Sequence, residues 1–323
     1  MDVVVTGGAG FIGSHLCERL LARGHRVFAV DCFDAFYDPA IKRRNVAGML
    51  PHPGFALLEL DVRDGAGVEA ALRAAGARVQ AVVHLAARAG VRPSIEDPLL
   101  YAQVNVEGTT AMLELARRME APRFVFASSS SVYGNHAAVP FSEDDPVAHP
   151  ISPYAATKRA GELVCHTYHH LFGMSVACLR LFTVYGPRQR PDLAIHKFAR
   201  LMADGEAIPV FGDGSTRRDY TYVDDVLDGI EGALAFTGDH PGSFEVFNLG
   251  ENDTVTLERL VRVLAASLGV EPRILRLPPQ PGDVEQTCAD ISRARRMLGY
   301  APRTRIDEGI PRFVEWFRAQ RAG

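Results

Sequence analysis

Tyr154 and Lys158 stand four residues apart in "SPYAATKRAGE" and so share one face of a helix. A lysine ammonium close to a phenol, with a second positive charge nearby, favours the phenolate. The phenol's ordinary pKa of about 10 then falls toward that of a usable base. The chemistry would be removal of a proton from a substrate hydroxyl. Lysine is scarce in this chain, occurring only at Lys42, Lys158 and Lys197. Upstream, "SSSSVYG" (128–134) follows the apolar run "RFVFA". A serine at the end of a buried strand could hydrogen-bond the same oxygen that Tyr154 deprotonates. Ser128, Ser129 and Ser130 are the candidates.

A second set of residues reads as a cofactor cradle. "TGGAGFIGSHL" (6–16) places Gly7, Gly10 and Gly13 between a strand and a helix. Glycines there allow a tight turn and close approach of a pyrophosphate, which the helix N-terminus meets with free N–H groups. Asp31 ends the next strand, where a carboxylate accepts from adenosine ribose hydroxyls. Its charge would repel a 2′-phosphate, so NAD is favoured over NADP, although Lys42 and Arg43 lie downstream. Asp61 ends the third strand, at the expected adenine edge or as a turn aspartate.

These residues need a scaffold. Strand candidates lie at 3–6, 26–30, 55–60, 80–85, 123–128 and 175–181, with helical segments at about 11–23, 66–75, 99–119 and 153–171. The alternation of apolar strands and helices predicts an α/β doubly wound parallel sheet covered on both faces. After residue 181 proline-punctuated shorter elements predict a smaller mixed region.

The 323 residues are 47% hydrophobic and 23% charged, with net charge −4 and pI about 6.3. That balance argues against nucleic acid or an anionic membrane surface as partner. No apolar run reaches the length of a membrane helix, and the N-terminus enters the first strand without a charged signal-type segment, so no secretory leader is expected. Five scattered cysteines without a CxxC pair read as free thiols of a cytoplasmic protein. His166, His169 and His170 lack a completing carboxylate or cysteine and read as a solvated helix face, so no metal is expected.

The glycine loop, Asp31, Asp61, "HLAA", the serine strand ending "VYG" and the Tyr154/Lys158 pair together resemble the extended short-chain dehydrogenase/reductases. Several stretches resemble the UDP-glucuronate 4-epimerases among them: 34–46, 86–98, 105–110, 179–192, 217–226 and 280–290. The resemblance implies a Rossmann domain at 1–181 with 219–250 and a nucleotide-sugar domain at 182–218 with 251–323. It implies Ser129, Tyr154 and Lys158 as catalytic residues. Gly7, Gly10, Phe11, Ile12, Gly13, Asp31, Lys42, Asp61, Val62, Leu85, Ala86, Ala87 and Asn105, with Tyr154 and Lys158, would hold NAD. A UDP-sugar would meet Arg88, the serines, Tyr154, Thr183, Arg190, Pro209, Phe211, Arg218, Gln280 and Asp283. Arg218 would grip the diphosphate, Pro209 and Phe211 the uracil, and Arg88, Thr183, Arg190 and the serines a C6 carboxylate. Thr287 falls at a gate position, and its small side chain does not exclude acetamido sugars.

The implied activity is 4-epimerisation of a UDP-sugar through a 4-keto intermediate, by a homodimer paired through the helices at 99–119 and 154–171. UDP-glucose or UDP-N-acetylglucosamine epimerisation, decarboxylation or 4,6-dehydration, and a silent NAD-binding sensor are the alternatives. Ser131 stands where the family's dehydratases and decarboxylases usually carry an acid.

Overall fold

A computed structural model describes residues 1–135, 138–278 and 286–322. Seven parallel strands form the central sheet: β1 (Asp2–Thr6), β2 (Arg26–Val30), β3 (Phe55–Leu58), β4 (Val79–His84), β5 (Arg123–Ser129), β6 (Ser175–Leu181) and β7 (Phe244–Leu249). Their order is β7-β6-β5-β4-β1-β2-β3. The winding reverses between β1 and β4, which opens a crevice at the carboxyl ends of those strands.

The strands are apolar throughout because both faces are covered. Val3 and Val5 of β1 belong to one core cluster and Val4 to another, each fully buried. The first cluster runs from helix Phe11–Ala22 to helix Val223–Asp239 and on into the C-terminal region. The second packs helices Gly65–Ala74, Gly108–Arg118 and Pro153–Phe172 against the opposite face.

The six predicted strands occur within two residues of their expected limits. The seventh, "FEVFNL", is an addition, because its short run carries a glutamate and follows a long excursion from β6. The predicted helix at 99–119 is interrupted. Helix Pro98–Ala102 passes into a π-helical turn, Gln103–Glu107, before α-helix resumes at Gly108.

The chain beyond β6 supplies paired short strands. Thr183–Tyr185 pairs in parallel with Tyr220–Tyr222, Ala207–Phe211 with Arg273–Leu277, and Arg217–Arg218 antiparallel with Val255–Thr256. Helices Ala194–Ala203, Leu257–Leu268 and Ile306–Ala322 cover them. Buried Asp219 fastens this region: its carboxylate accepts from the N–H groups of Glu251 (2.7 Å), Ala289 (3.0 Å) and Asn252 (3.1 Å). Among the described residues, no helix is long and apolar enough to cross a membrane.

Candidate active site

A cavity of about 640 Å³ opens at the carboxyl ends of the strands. Its wall brings together Gly7, Gly10, Phe11, Ile12, Gly13, Asp31, Lys42, Asp61, Val62, Leu85, Ala86 and Ala87 with Ser128–Ser131, Tyr154 and Lys158. Arg88, Thr183, Arg190, Arg218 and Thr287 line it too. Residues more than 270 positions apart in the sequence thus share one crevice.

The glycine loop is a cradle that a Cβ would fill. Gly7 adopts φ +68°, and a Cβ on Gly13 would meet the Gly7 carbonyl oxygen at 2.1 Å. Gly8 is equally constrained, since its Cβ would sit 2.6 Å from Ala29 Cβ. Gly10 caps helix Phe11–Ala22 without a side-chain hydrogen bond, and the first turn carries no acid. The first N–H groups and the positive dipole end are therefore open to an anion. Asp31 is buried and accepts from the Phe33 N–H (2.9 Å), the Ala9 N–H (3.2 Å) and Lys42 Nζ (3.0 Å). This donor set fits the ribose and pyrophosphate of NAD. Asp61 lines the same end, with Arg63 pairing both carboxylate oxygens and holding its pKa down.

Behind the cradle, His84 forms a buried chain that the sequence reading passed over. The Thr109 hydroxyl donates to the Asn105 carbonyl (2.6 Å), so it accepts from His84 Nε2–H (3.1 Å). His84 Nδ1 then accepts from the Thr6 hydroxyl (2.7 Å), which itself accepts the Ala86 N–H (3.1 Å). Burial, with Lys158 adding to it, pushes the His84 pKa down to about 3. This imidazole is a neutral strut. Only its place at the end of a strand, next to "LAA", could have flagged it.

Asn105 departs from its expected role. Its amide accepts from the Arg88 N–H (2.8 Å) and donates to the Arg88 carbonyl and to Thr157 Oγ1 (both 3.0 Å). It is outside the cavity lining and fixes the backbone of Arg88 from behind. The π-helical turn is what aims it there.

The four serines separate by direction. Ser128 Oγ donates to buried Glu162 at 2.6 Å, which commits its proton to the core. Glu162 is also gripped by Arg180 through two hydrogen bonds (2.9 and 3.0 Å). Burial raises the Glu162 pKa, but Arg180 and Ser128 outweigh it and hold it low. Arg180 reaches on to the Tyr133 hydroxyl (2.9 Å), which explains the tyrosine of "VYG". Ser129 Oγ accepts from the Ser131 N–H at 3.2 Å and lies 3.0 Å from the Ser131 hydroxyl, and it lines the cavity with Tyr154. Ser130 faces the cavity.

The tyrosine and lysine share a helix face, but the expected electrostatics are redistributed. Lys158 Nζ donates to the Ala127 carbonyl at 2.7 Å and sits 5.1 Å from the centre of the Phe126 ring. Burial lowers its pKa to about 8. Burial raises the Tyr154 phenol, while Ser129 and the Arg190 guanidinium pull it back. The cation acting on the phenol here is thus Arg190, whose own charge is held by Asp192 at 2.7 and 3.0 Å. Arg190 and Arg88 both lie over the Phe36 ring, at 5.2 and 4.9 Å, and Arg88 pairs with Asp34 at 2.6 Å.

On the sugar-nucleotide side, Arg218 Nη1 donates to the Arg217 carbonyl (2.9 Å), and Thr287 Oγ1 accepts the Asp219 N–H (3.2 Å). Pro209 and Phe211 are half-buried on their strand and outside the cavity lining; Arg92 lies 5.2 Å over the Phe211 ring. Gln280 and Asp283 fall outside the described residues. No group of histidine, cysteine or acidic residues suited to a metal occurs among the described residues.

A doubly wound sheet with a glycine cradle and a Ser-Tyr-Lys floor suits hydride exchange between a nicotinamide cofactor and a substrate hydroxyl. The chain belongs to the NAD dependent epimerase/dehydratase family, which it matches over residues 3–250. It is 42% identical to UDP-glucuronate 4-epimerase 3 of Arabidopsis thaliana over 331 residues, covering 98% of this chain and 76% of that protein. It is similar to the UDP-glucuronic acid 4-epimerase of Bacillus cereus, solved with UDP-glucuronic acid and NAD, with TM-score 0.91 and 34% identity over 99% of this chain and 100% of that one. A dTDP-glucose 4,6-dehydratase of Streptomyces venezuelae gives TM-score 0.90 at 32% identity over 100% and 98% of the two chains. The backbone alone therefore does not separate epimerase from dehydratase.

Proposed function

We propose that this chain is an NAD-dependent UDP-glucuronate 4-epimerase, interconverting UDP-glucuronate and UDP-galacturonate through a transient 4-keto sugar. The observation that carries the reading is that Ser129 and Tyr154 line one cavity with the glycine cradle, with serine rather than a carboxylate at position 131. Elimination of water, or reprotonation after loss of CO₂, wants an acid or base beside C5 and C6. The relatives at about 40% identity support the same conclusion.

The cradle, Asp31 and the Leu85–Ala87 wall would hold NAD, which supplies a reversible hydride acceptor at C4. Tyr154 as phenolate takes the 4-hydroxyl proton, and Ser129 donates to the same oxygen. Lys158 anchors the helix turn that carries Tyr154. Arg218 holds the diphosphate, so that the keto sugar turns about that link and presents its other face. Tyr154 then returns the proton. Arg88, Arg190, Thr183 and Ser130 supply donors for the C6 carboxylate.

The neutral-sugar alternative draws on Thr287, whose small side chain leaves space for other substituents. Purified protein should be assayed with UDP-glucuronate, UDP-glucose and UDP-N-acetylglucosamine, with product identification. Faster turnover of UDP-glucose overturns the substrate assignment, and a UDP-pentose product would mean decarboxylation.

We also propose the division into a Rossmann domain (1–181 with 219–250) and a sugar-nucleotide domain (182–218 with 251–323). It is supported by helix Val223–Asp239 and β7 packing on β6. A homodimer is supported by the exposed leucines Leu99 (76%) and Leu163 (53%) on the helices at 98–118 and 153–172. Five free thiols support a cytoplasmic location.

A further inference from the structure

Three residues of the cavity wall, distant in sequence, meet at one aromatic ring. Phe36 lies between β2 and helix Pro39–Ala47, Arg88 follows β4, and Arg190 follows the strand Thr183–Tyr185. The guanidinium carbons of Arg88 and Arg190 stand 4.9 and 5.2 Å from the centre of the Phe36 ring. Two like charges gathered at one ring repel unless anions compensate them. Asp34 and Asp192 do so. Asp34 Oδ1 accepts from Arg88 Nη1 at 2.6 Å and also from the Phe36 N–H at 2.8 Å, so the ring and the arginine are tied to the same oxygen. Asp192 accepts from Nε and Nη2 of Arg190 at 3.0 and 2.7 Å.

These aspartates do not exhaust the donors. A guanidinium carries five N–H groups. Among the described residues, Arg190 Nη1 and Arg88 Nη2 make no hydrogen bond, and Arg88 Nε is buried without a partner. Unspent cationic donors from two arginines in one substrate cavity suit a planar, two-oxygen anion. Phe36 adds no charge. Its ring supplies a face on which a guanidinium lies flat, held by cation–π attraction.

We propose that Phe36 is a specificity-determining residue: its ring is the platform that keeps Arg88 and Arg190 turned toward the C6 carboxylate of the sugar. The proposal rests on the reading of these arginines as donors to that carboxylate. Without the ring, each guanidinium follows its own aspartate and the paired donors are lost. A neutral hexose does not use them, so preference for a uronate depends on an uncharged side chain.

The test measures binding by calorimetry in NAD-loaded Tyr154→Phe protein, where turnover does not interfere. UDP-glucuronate and UDP-glucose are compared with position 36 as phenylalanine, as Phe36→Leu and as Phe36→Tyr. Phe36→Leu should weaken UDP-glucuronate about tenfold, the worth of two cation–π contacts, and leave UDP-glucose unchanged. Phe36→Tyr, which keeps the ring face, should retain the preference. If Phe36→Leu loses its NAD, Phe36→Met carries the same comparison. A preference that survives loss of the ring overturns the proposal. Equal weakening of both ligands also overturns it, since that is a packing role. If the protein with Phe36 intact binds both sugars alike, the carboxylate reading of Arg88 and Arg190 fails first, and the role of Phe36 falls with it.

Discussion

Tyr154 sits under opposing influences. Burial disfavours its anion, and Ser129 and Arg190 favour it. Replacing it by phenylalanine removes the proton acceptor while leaving the ring packed edge-on against Tyr101 at 6.2 Å. The Tyr154→Phe variant should keep its NAD content and lose about 10²- to 10⁴-fold in kcat, measured under saturating substrate. A second residue-scale prediction concerns Glu251. Its side chain is only 5% exposed, and one carboxylate oxygen is buried without a partner. Burial, with the nearby Asp225, raises its pKa from 4.5 to about 8 despite Arg305. A raised carboxyl pKa means that the folded state prefers the protonated form. The stability from this group is complete below about pH 4.5 and is lost as pH rises through about 8. Glu251→Gln should therefore raise Tm at pH 8.5 relative to wild type, with the gain shrinking toward pH 5. An equal effect at both pH values would show that ionisation is not the cause.

Between residues and the molecule stand the elements that aim them. Helix Pro153–Phe172 begins at Ser152, whose hydroxyl accepts the Ala155 N–H at 3.1 Å, so Tyr154 falls in the first turn. Its approach to β5 depends on Gly161, where a Cβ would meet the Phe126 ring at 2.4 Å. Gly161→Ala would push the helix off the strand that carries the serines. We expect a loss of about 1–3 kcal/mol in stability by denaturant titration. We also expect a drop in kcat larger than the change in UDP-sugar affinity, since the Ser129–Tyr154 distance is what the methyl disturbs. Wild-type kcat in this variant would show that the helix has slack. The tyrosine–lysine spacing was legible in the sequence because four residues make one helix turn. Gly161 was not, since its reason lies in a ring from another strand.

For the whole molecule, assembly remains to be measured. Leu99 and Leu163 lie on elements that pack beside one another and leave large side chains in solvent. A second copy of the chain covers such a face in our reading. Light scattering after gel filtration should give twice the chain mass for wild type and the single mass for Leu163→Arg. A wild-type monomer would remove the dimer from the proposal.

The sequence by itself determined the architecture and most of the cofactor site. Period and order dictate a parallel sheet when apolar strands alternate with amphipathic helices, and Gly7, Gly10, Gly13 and Asp31 act through backbone geometry that is local to one strand–turn–helix unit. Tertiary structure decided which way each polar side chain turns. Ser128 belongs to Glu162, 34 residues away, and Asn105 to Arg88; Arg190 lines the same cavity as Tyr154 from a different part of the chain. Those partners come from elements distant in sequence, and a hydroxyl or amide follows the donor or acceptor that packing brings within about 3 Å. Spacing along the chain carries no record of that encounter.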